Sequence, residues 1–251
     1  MKTLAEFAKE DKKFIVAHRG SSGTAPENTI SAIKEAVEAG AMMVEVDIQL
    51  TKDNHFVAYH DENFEKFGSK DIKVSDLDLS EIESFDVENL YTNSFEKIPR
   101  LSNIIQYLKD KAYLILEIKS NFNKESIELA EKIYHSIQRF NFKDFTLFAS
   151  FDYNILKHLK AIDNSINIAA IKIPNQNTMP SVLKQHIPIG AFICSIDEIN
   201  DELVADANAS GIYIGAYSAD NEEQFNKIMN LDIKAIVTNY PKLISDLMVK
   251  Y

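Results

Sequence analysis

The chain has 251 residues, 45% of them hydrophobic, which is enough to bury the core of one large α/β domain. A net charge of -11 argues against a broad basic face for the phosphate backbone of nucleic acid, so any anionic substrate must meet locally placed positive charge. The single cysteine, Cys194, excludes an internal disulfide, and there is no run of 18 apolar residues to form a transmembrane segment.

The start, Met1-Lys-Thr-Leu-Ala-Glu-Phe-Ala-Lys-Glu10, lacks the apolar core of a secretion signal, and a cytoplasmic protein is expected. From there, short apolar β-branched runs alternate with amphipathic patterns. Strands are expected over 14-17, 43-49, 112-118, 145-150, 166-171, 190-194, 211-216 and 234-238. Helices are expected over 28-39, 101-109, 124-139, 152-162, 179-186, 198-208, 220-230 and 241-249. Asn28 before Thr29, Asp152 after Ser150, and Asp220 ahead of Glu222 and Glu223 mark helix starts. Cys194 ends the apolar run Gly190-Ala-Phe-Ile-Cys194 and is read as a buried core thiol.

Eight strands, each followed by a helix, form the pattern of a (β/α)8 TIM barrel over residues 1-251. The same elements can be drawn as an open doubly wound sheet, but no Gly-x-Gly-x-x-Gly turn follows the first strand to support dinucleotide binding. Residues 52-100 break the alternation. A hairpin arm, His55-Phe-Val-Ala-Tyr-His60, leads into an acidic stretch, read as a small insertion over the barrel mouth after the second strand. Ser80-x-x-Glu83 has the spacing of a capping box within it.

In Met43-Val-Glu-Val-Asp-Ile-Gln-Leu50 the strand period puts Glu45 and Asp47 on one side and Val44, Val46 and Ile48 on the other. Two like charges at a buried position call for a proton or a cation between them. In the third strand Tyr113, Ile115, Glu117 and Lys119 share a face, so a third carboxylate joins the pair at the barrel mouth. Three oxygen donors without cysteine suit one divalent cation such as Mg2+ or Ca2+ better than a structural zinc. His18 and Arg19 end the first strand and His60 closes the hairpin arm, so these groups gather where barrel enzymes place their active sites. His18 and His60 suit proton transfer near neutral pH, and Arg19 and Lys119 suit the non-bridging oxygens of a phosphate. Taken singly, each has a plain structural reading: a satisfied histidine at a strand end, or a carboxylate paired with Arg19 or Lys119. Taken together, they describe metal-assisted phosphoester cleavage. His55, His135, His158 and His186 have no such company and are read as surface or core histidines.

The runs Ala17-His18-Arg19-Gly20, Pro26-Glu27-Asn28-Thr29, Val44-Glu45-Val46-Asp47, His60-Asp61 and Leu116-Glu117-Ile118-Lys119 resemble, in order and spacing, the glycerophosphodiester phosphodiesterase family. The resemblance continues through Ile98-Pro99-Arg100-Leu101, Ser150-Phe151-Asp152 and Thr238-Asn239-Tyr240-Pro241. It implies a (β/α)8 barrel with a small insertion and a divalent cation-dependent split of glycerophosphodiesters into glycerol 3-phosphate and an alcohol. Carried over by position, it implies Glu45, Asp47 and Glu117 as metal ligands, His18 and His60 as the acid/base pair, and Arg19 and Lys119 on the phosphate. It also implies attack on phosphorus by the substrate's own neighbouring glycerol hydroxyl, before water opens the cyclic product.

Three departures stand out. Where the family pattern has Trp-Thr-Val-Asn at the end of the seventh strand, this chain has Tyr217-Ser218-Ala219-Asp220, and Tyr217 is expected to offer an aromatic wall in the substrate pocket. Where it has Thr-Asp-x-Pro, this chain has Asn239, read as a structural residue at the strand end. The Leu-x-Arg-Thr segment after the His-Asp pair is replaced by Asn63-Phe64-Glu65-Lys66-Phe67, which bears on the alcohol recognised. Two alternatives stay open. One is the same chemistry on lysophospholipids, for which Phe64 and Phe67 are the hints of an apolar rim. The other is a catalytically silent barrel that binds a phosphorylated ligand or a partner.

Overall fold

The computed structural model describes residues 1–89, 94–120 and 122–251, so residues 90–93 of the insertion lie outside the described residues. Eight parallel strands close on themselves: β1 (Phe14–His18), β2 (Met43–Leu50), β3 (Tyr113–Glu117), β4 (Thr146–Ser150), β5 (Asn167–Ile171), β6 (Ala191–Ser195), β7 (Tyr213–Tyr217) and β8 (Ala235–Thr238). Closure runs through β8 and β1, with Phe14 opposite Ala235 and Ala17 opposite Thr238. The strands are followed by α1 (Ile30–Glu38), α2 (Leu101–Leu108), α3 (Lys124–Arg139), α4 (Tyr153–Ile162), α5 (Pro180–Lys184), α6 (Asp201–Ala209), α7 (Glu222–Met229) and α8 (Pro241–Lys250). The chain is a (β/α)8 barrel, and every expected strand and helix is present within a few residues.

The alternation along each strand builds two apolar layers. Val44, Val46 and Ile48 on β2, with Leu114 and Leu116 on β3, pack outward among buried helix residues such as Ile33, Ile104 and Ile133. Met43, Tyr113 and Ile115 point inward, with Val16, Ile171 and Val237. Each such burial is worth about 1.5–3 kcal/mol against leaving the side chain in water. Cys194 is fully buried in the outer layer, which pushes its thiol up to about 12, as expected of a core thiol. A short helix, Leu4–Phe7, covers the N-terminal end of the barrel; Phe7 stacks on Tyr113 with ring centroids 4.8 Å apart.

After β2, the chain returns antiparallel as Phe56–Ala58, with Ala58 opposite Ile48, and carries His60 back to the mouth. The rest of the insertion holds two hairpins and its own apolar cluster of Val57, Tyr59, Phe64, Val74, Leu79, Ile82 and Ile98. Phe64 is fully buried against Tyr59, and Phe67 packs on the same cluster. Phe64 therefore contributes nothing to an apolar rim, whereas Phe67 is only partly buried and lines the cavity beside His60.

Three capping expectations are corrected. Thr29, not Asn28, caps α1, its side chain accepting the Ala32 N–H; Asn28 sits at φ 61° and its carboxamide is used elsewhere. Asn221, not Asp220, caps α7 by accepting the Gln224 N–H at 2.9 Å. The helix Leu79–Ile82 starts two residues earlier than Ser80-x-x-Glu83 implies: the Asp78 N–H donates to Glu81 Oε2 at 2.8 Å. In each case a neighbouring Asx, Ser or Thr could have served equally by sequence, and the strand–helix geometry chose between them. Asp152 caps α4 as expected.

Candidate active site

The inward face of β2 ends in Glu45 and Asp47, and β3 sets Glu117 level with Asp47 in the register. One oxygen from each of the three carboxylates lies within 4.8 Å of the others. Glu45 and Asp47 are buried and Glu117 is partly so. Two cations reach this cluster. Arg19 Nε lies 2.9 Å from Asp47 Oδ2, and Lys119 Nζ lies 2.9 Å from Asp47 Oδ1 and 2.5 Å from Glu117 Oε1. Part of the plain structural reading thus holds: both cations are paired with carboxylates.

The electrostatics divide the cluster. Burial pushes Asp47 up, but the charges of Lys119 and Arg19 and the Asn28 amide bring it below the usual carboxylate range. Glu45 goes the other way. Burial and the neighbouring charges of Asp47 and Glu117 push its carboxyl well above the usual range. Its Oε2 accepts the Arg19 N–H at 3.0 Å, while its Oε1 is buried with no hydrogen-bond partner. Three carboxylates share two cations, and Arg19 is divided further by a 2.8 Å bond to Glu27. An orphaned carboxylate oxygen in an all-oxygen cluster short of positive charge fits a hard divalent cation, with Glu45, Asp47 and Glu117 as its ligands.

His18, at the end of β1, lies with Nε2 3.9 Å from Glu45 Oε2. Burial and the Arg19 charge lower its pKa, which favours the neutral ring. Its Nδ1 meets Asn239 Oδ1 at 2.8 Å, so Asn239 does more than tie off a strand end. His60 is half-buried, with Nδ1 2.9 Å from Asp61 Oδ1. It joins the cluster through Glu27, since Glu27, His60 and Asp61 bring polar atoms within 4.8 Å of one another and Glu27 holds Arg19. A cavity of about 290 Å³ opens beside His60, between the Pro26–Asn28 loop and Phe67 and Val87 of the insertion. Tyr217 ends β7, half-buried against the inner apolar layer, and burial pushes its phenol up to about 12.

All the expected site residues except Tyr217 are thus linked by contacts at the C-terminal mouth, and Tyr217 stands at the same end of its strand. Sequence reasoning missed the groups that hold them. Asn28 clamps Asp47 from both sides, its Nδ2 donating to Oδ2 and its Oδ1 accepting the Asp47 N–H, both at 3.1 Å. The Pro26-Glu27-Asn28-Thr29 run was the available signal, because two polar residues precede the Thr29 that suffices as a cap. Lys172, a buried lysine directly after β5, pairs with Glu198 at 2.6 Å. Like Lys119 it follows a strand end, but its partner Glu198 is not one of the expected site residues.

The family model of the glycerophosphoryl diester phosphodiesterase family matches residues 18–243. YhdW of Bacillus subtilis (strain 168) is 30% identical over 92% of this chain and 96% of its own length. A glycerophosphodiester phosphodiesterase of Caldanaerobacter subterraneus subsp. tengcongensis is 29% identical over 95% of this chain and 99% of its own. Among solved structures, an Oleispira antarctica phosphodiesterase in complex with the product sn-glycerol-3-phosphate superposes with a TM-score of 0.81 at 24% identity, covering 95% of this chain and 97% of that one. The chain belongs to the glycerophosphoryl diester phosphodiesterase family and is a phosphoric diester hydrolase.

Proposed function

We propose that the chain works as one barrel domain that hydrolyses glycerophosphodiesters to glycerol 3-phosphate and an alcohol, using one divalent cation, Mg2+ or Ca2+, held by Glu45, Asp47 and Glu117. The observation that carries this reading is the buried, unpartnered Glu45 Oε1 within a three-carboxylate cluster that lies 3.9 Å from a histidine. The relatives named for this activity support the substrate class. When bound, the cation supplies Lewis-acid polarisation of a phosphoryl oxygen and a fixed template for the phosphate. Arg19 and Lys119 turn from their carboxylates to the non-bridging oxygens, Arg19 by two prongs and Lys119 as a point charge.

The two histidines differ in what holds their Nδ1. A carbonyl oxygen orients His18 without adding charge, and burial keeps its ring neutral, so His18 accepts the proton of the glycerol hydroxyl that attacks phosphorus. The Asp61 carboxylate orients His60 beside the 290 Å³ cavity, where it gives a proton to the leaving alcohol oxygen. Water then opens the cyclic product with the two roles reversed. Tyr217 provides the apolar wall for the glycerol carbons.

The test is release of glycerol 3-phosphate from glycerophosphodiesters of choline, ethanolamine, glycerol and inositol, with Mg2+, with Ca2+ and with chelator, beside His18→Ala. Cation-dependent release that the variant loses is the expected result. No release from any of the panel, with calorimetry still showing a bound cation, would overturn the reading in favour of larger lipid substrates or a silent barrel.

A further inference from the structure

The hydrogen bonds behind His18 continue one residue further than the proton-transfer chemistry requires. Asp220, just beyond β7, accepts the Asn239 backbone N–H at 2.7 Å and the Thr238 hydroxyl at 3.1 Å on Oδ1, and the Asn239 Nδ2 at 2.7 Å on Oδ2. Asn239 Oδ1 meets His18 Nδ1 at 2.8 Å. The Ser22 Oγ lies 2.8 Å from Asn239 Oδ1 and 2.7 Å from the His18 carbonyl, and its one hydrogen serves one of these acceptors at a time.

These contacts have one consistent polarity. A carboxylate oxygen only accepts, so the Asn239 amide must turn its NH2 to Asp220 and its carbonyl oxygen to His18. A carbonyl oxygen also only accepts, so neutral His18 must carry its hydrogen on Nδ1. Its lone pair is then on Nε2, the nitrogen that faces Glu45. Without Asp220 the amide loses the acceptor for its NH2; Ser22 does not fix the amide alone, because its hydroxyl can donate to the His18 carbonyl and accept from a turned NH2, which can then also serve the ring in the opposite tautomer. Two of the three departures noted in the sequence, Asp220 and Asn239, meet across a single 2.7 Å hydrogen bond.

We propose that Asp220, acting through Asn239, is a positioning residue that holds neutral His18 as its Nδ1–H tautomer and so presents Nε2 as the proton acceptor. The inference rests on the assignment of His18 as the base and adds what fixes the direction of its lone pair. A histidine in the wrong tautomer cannot accept the proton however well the substrate is bound, so the effect falls on kcat and not on KM; in a serine protease triad the same error costs about 10⁴ in kcat.

The experiment pairs kinetics with 15N NMR of histidine-labelled, Mg2+-loaded protein, with His18→Gln identifying the His18 signals among the six histidines. Wild type is expected to show His18 with its hydrogen on Nδ1. Asp220→Ala is expected to lose the single tautomer and to lower kcat by at least about 10-fold, with KM within about twofold. The exchange variant Asp220→Asn/Asn239→Asp keeps every hydrogen bond with the charges transposed. It is expected to restore the tautomer and to recover kcat relative to Asp220→Ala. Full kcat in Asp220→Ala, an exchange variant as slow as Asp220→Ala, or a wild-type His18 with its hydrogen on Nε2 would each overturn the proposal. If Asp220→Ala does not fold, the wild-type and exchange spectra decide the matter. A wild type without turnover but with the Nδ1–H tautomer would count against the enzymatic reading and leave the relay standing.

Discussion

The two ends of the barrel are lined by the same strands. On β2 the inward face runs from Met43 to Glu45 and Asp47, and on β3 from Tyr113 and Ile115 to Glu117: apolar at the N-terminal end, anionic at the C-terminal mouth. The apolar end encloses the larger cavity, about 360 Å³, lined by Val16, Met43, Ile193 and Gly215 and closed by Leu4 and Phe7. The charged end has about 290 Å³ beside His60. Between these two cavities, size points to the wrong end. Electrostatic cost points to the right one, because the barrel gives up stability to hold an orphaned, protonation-prone carboxyl at Glu45, whereas the cavity at the N-terminal end is lined mainly by apolar side chains. One end holds the fold together, and the other holds the chemistry.

That contrast can be broken experimentally at either end. The largest effects belong to the mouth: His18→Ala and His60→Ala should each lower kcat by about 100-fold or more with an unchanged far-UV circular dichroism spectrum, and full activity in either would remove that histidine from the mechanism. At the other end, Phe7→Ala deletes a buried ring stacked on Tyr113 and should cost about 3 kcal/mol, or about 6–12 °C in Tm for a chain of this size. Its kcat at 25 °C, per folded molecule, should stay within about twofold; a matching fall in kcat would show that the two ends are coupled.

A smaller effect sharpens the electrostatic half of the comparison. Because the native Glu45 pKa lies above its ordinary value of 4.5, the native state binds more protons than the unfolded chain in the window above that value, so stability falls as pH rises through it. Asp47, held low, has the opposite sign, and because it repels Glu45 it does not cancel in a difference: without the Glu45 charge it is held lower still, which adds to the same trend. In chelator, Tm of Glu45→Gln minus Tm of wild type should therefore grow as pH rises above 4.5. Added Mg2+ or Ca2+ should close the gap by stabilising wild type alone. Parallel pH profiles would show that Glu45 carries no such burden. The smallest effect separates cap from clamp: Thr29→Ala should cost about 1 kcal/mol in urea denaturation with little loss of turnover, because Thr29 caps α1 while its neighbour Asn28 holds Asp47. A stability cost at Asn28→Ala and none at Thr29→Ala would reverse those roles.

Much of this was legible along the chain. Strand alternation placed Glu45 with Asp47 and Glu117 with Lys119 on inward faces, and the strand-end positions of His18, Arg19 and His60 marked the mouth. The supporting groups were not legible, because their partners are remote in sequence. Asn239 lies 221 positions from His18, and Asn28 lies 19 from Asp47. Asp220 looked like a helix cap because Asp is a good cap in any strand-to-helix turn. Only closure of β8 onto β1 brings Asn239 beside His18 and makes Asp220's carboxylate more useful there.

The sequence by itself determined the barrel, the inward carboxylates and the family, since these depend on local period, strand count and short motifs. The tertiary structure decided which of several equivalent polar residues caps a helix and which supports the site, which phenylalanines are core, and which nitrogen of His18 is free. The physical reason is that each of these is a choice between hydrogen-bond or packing partners of similar local merit, settled by distances across the closed barrel that no local pattern encodes.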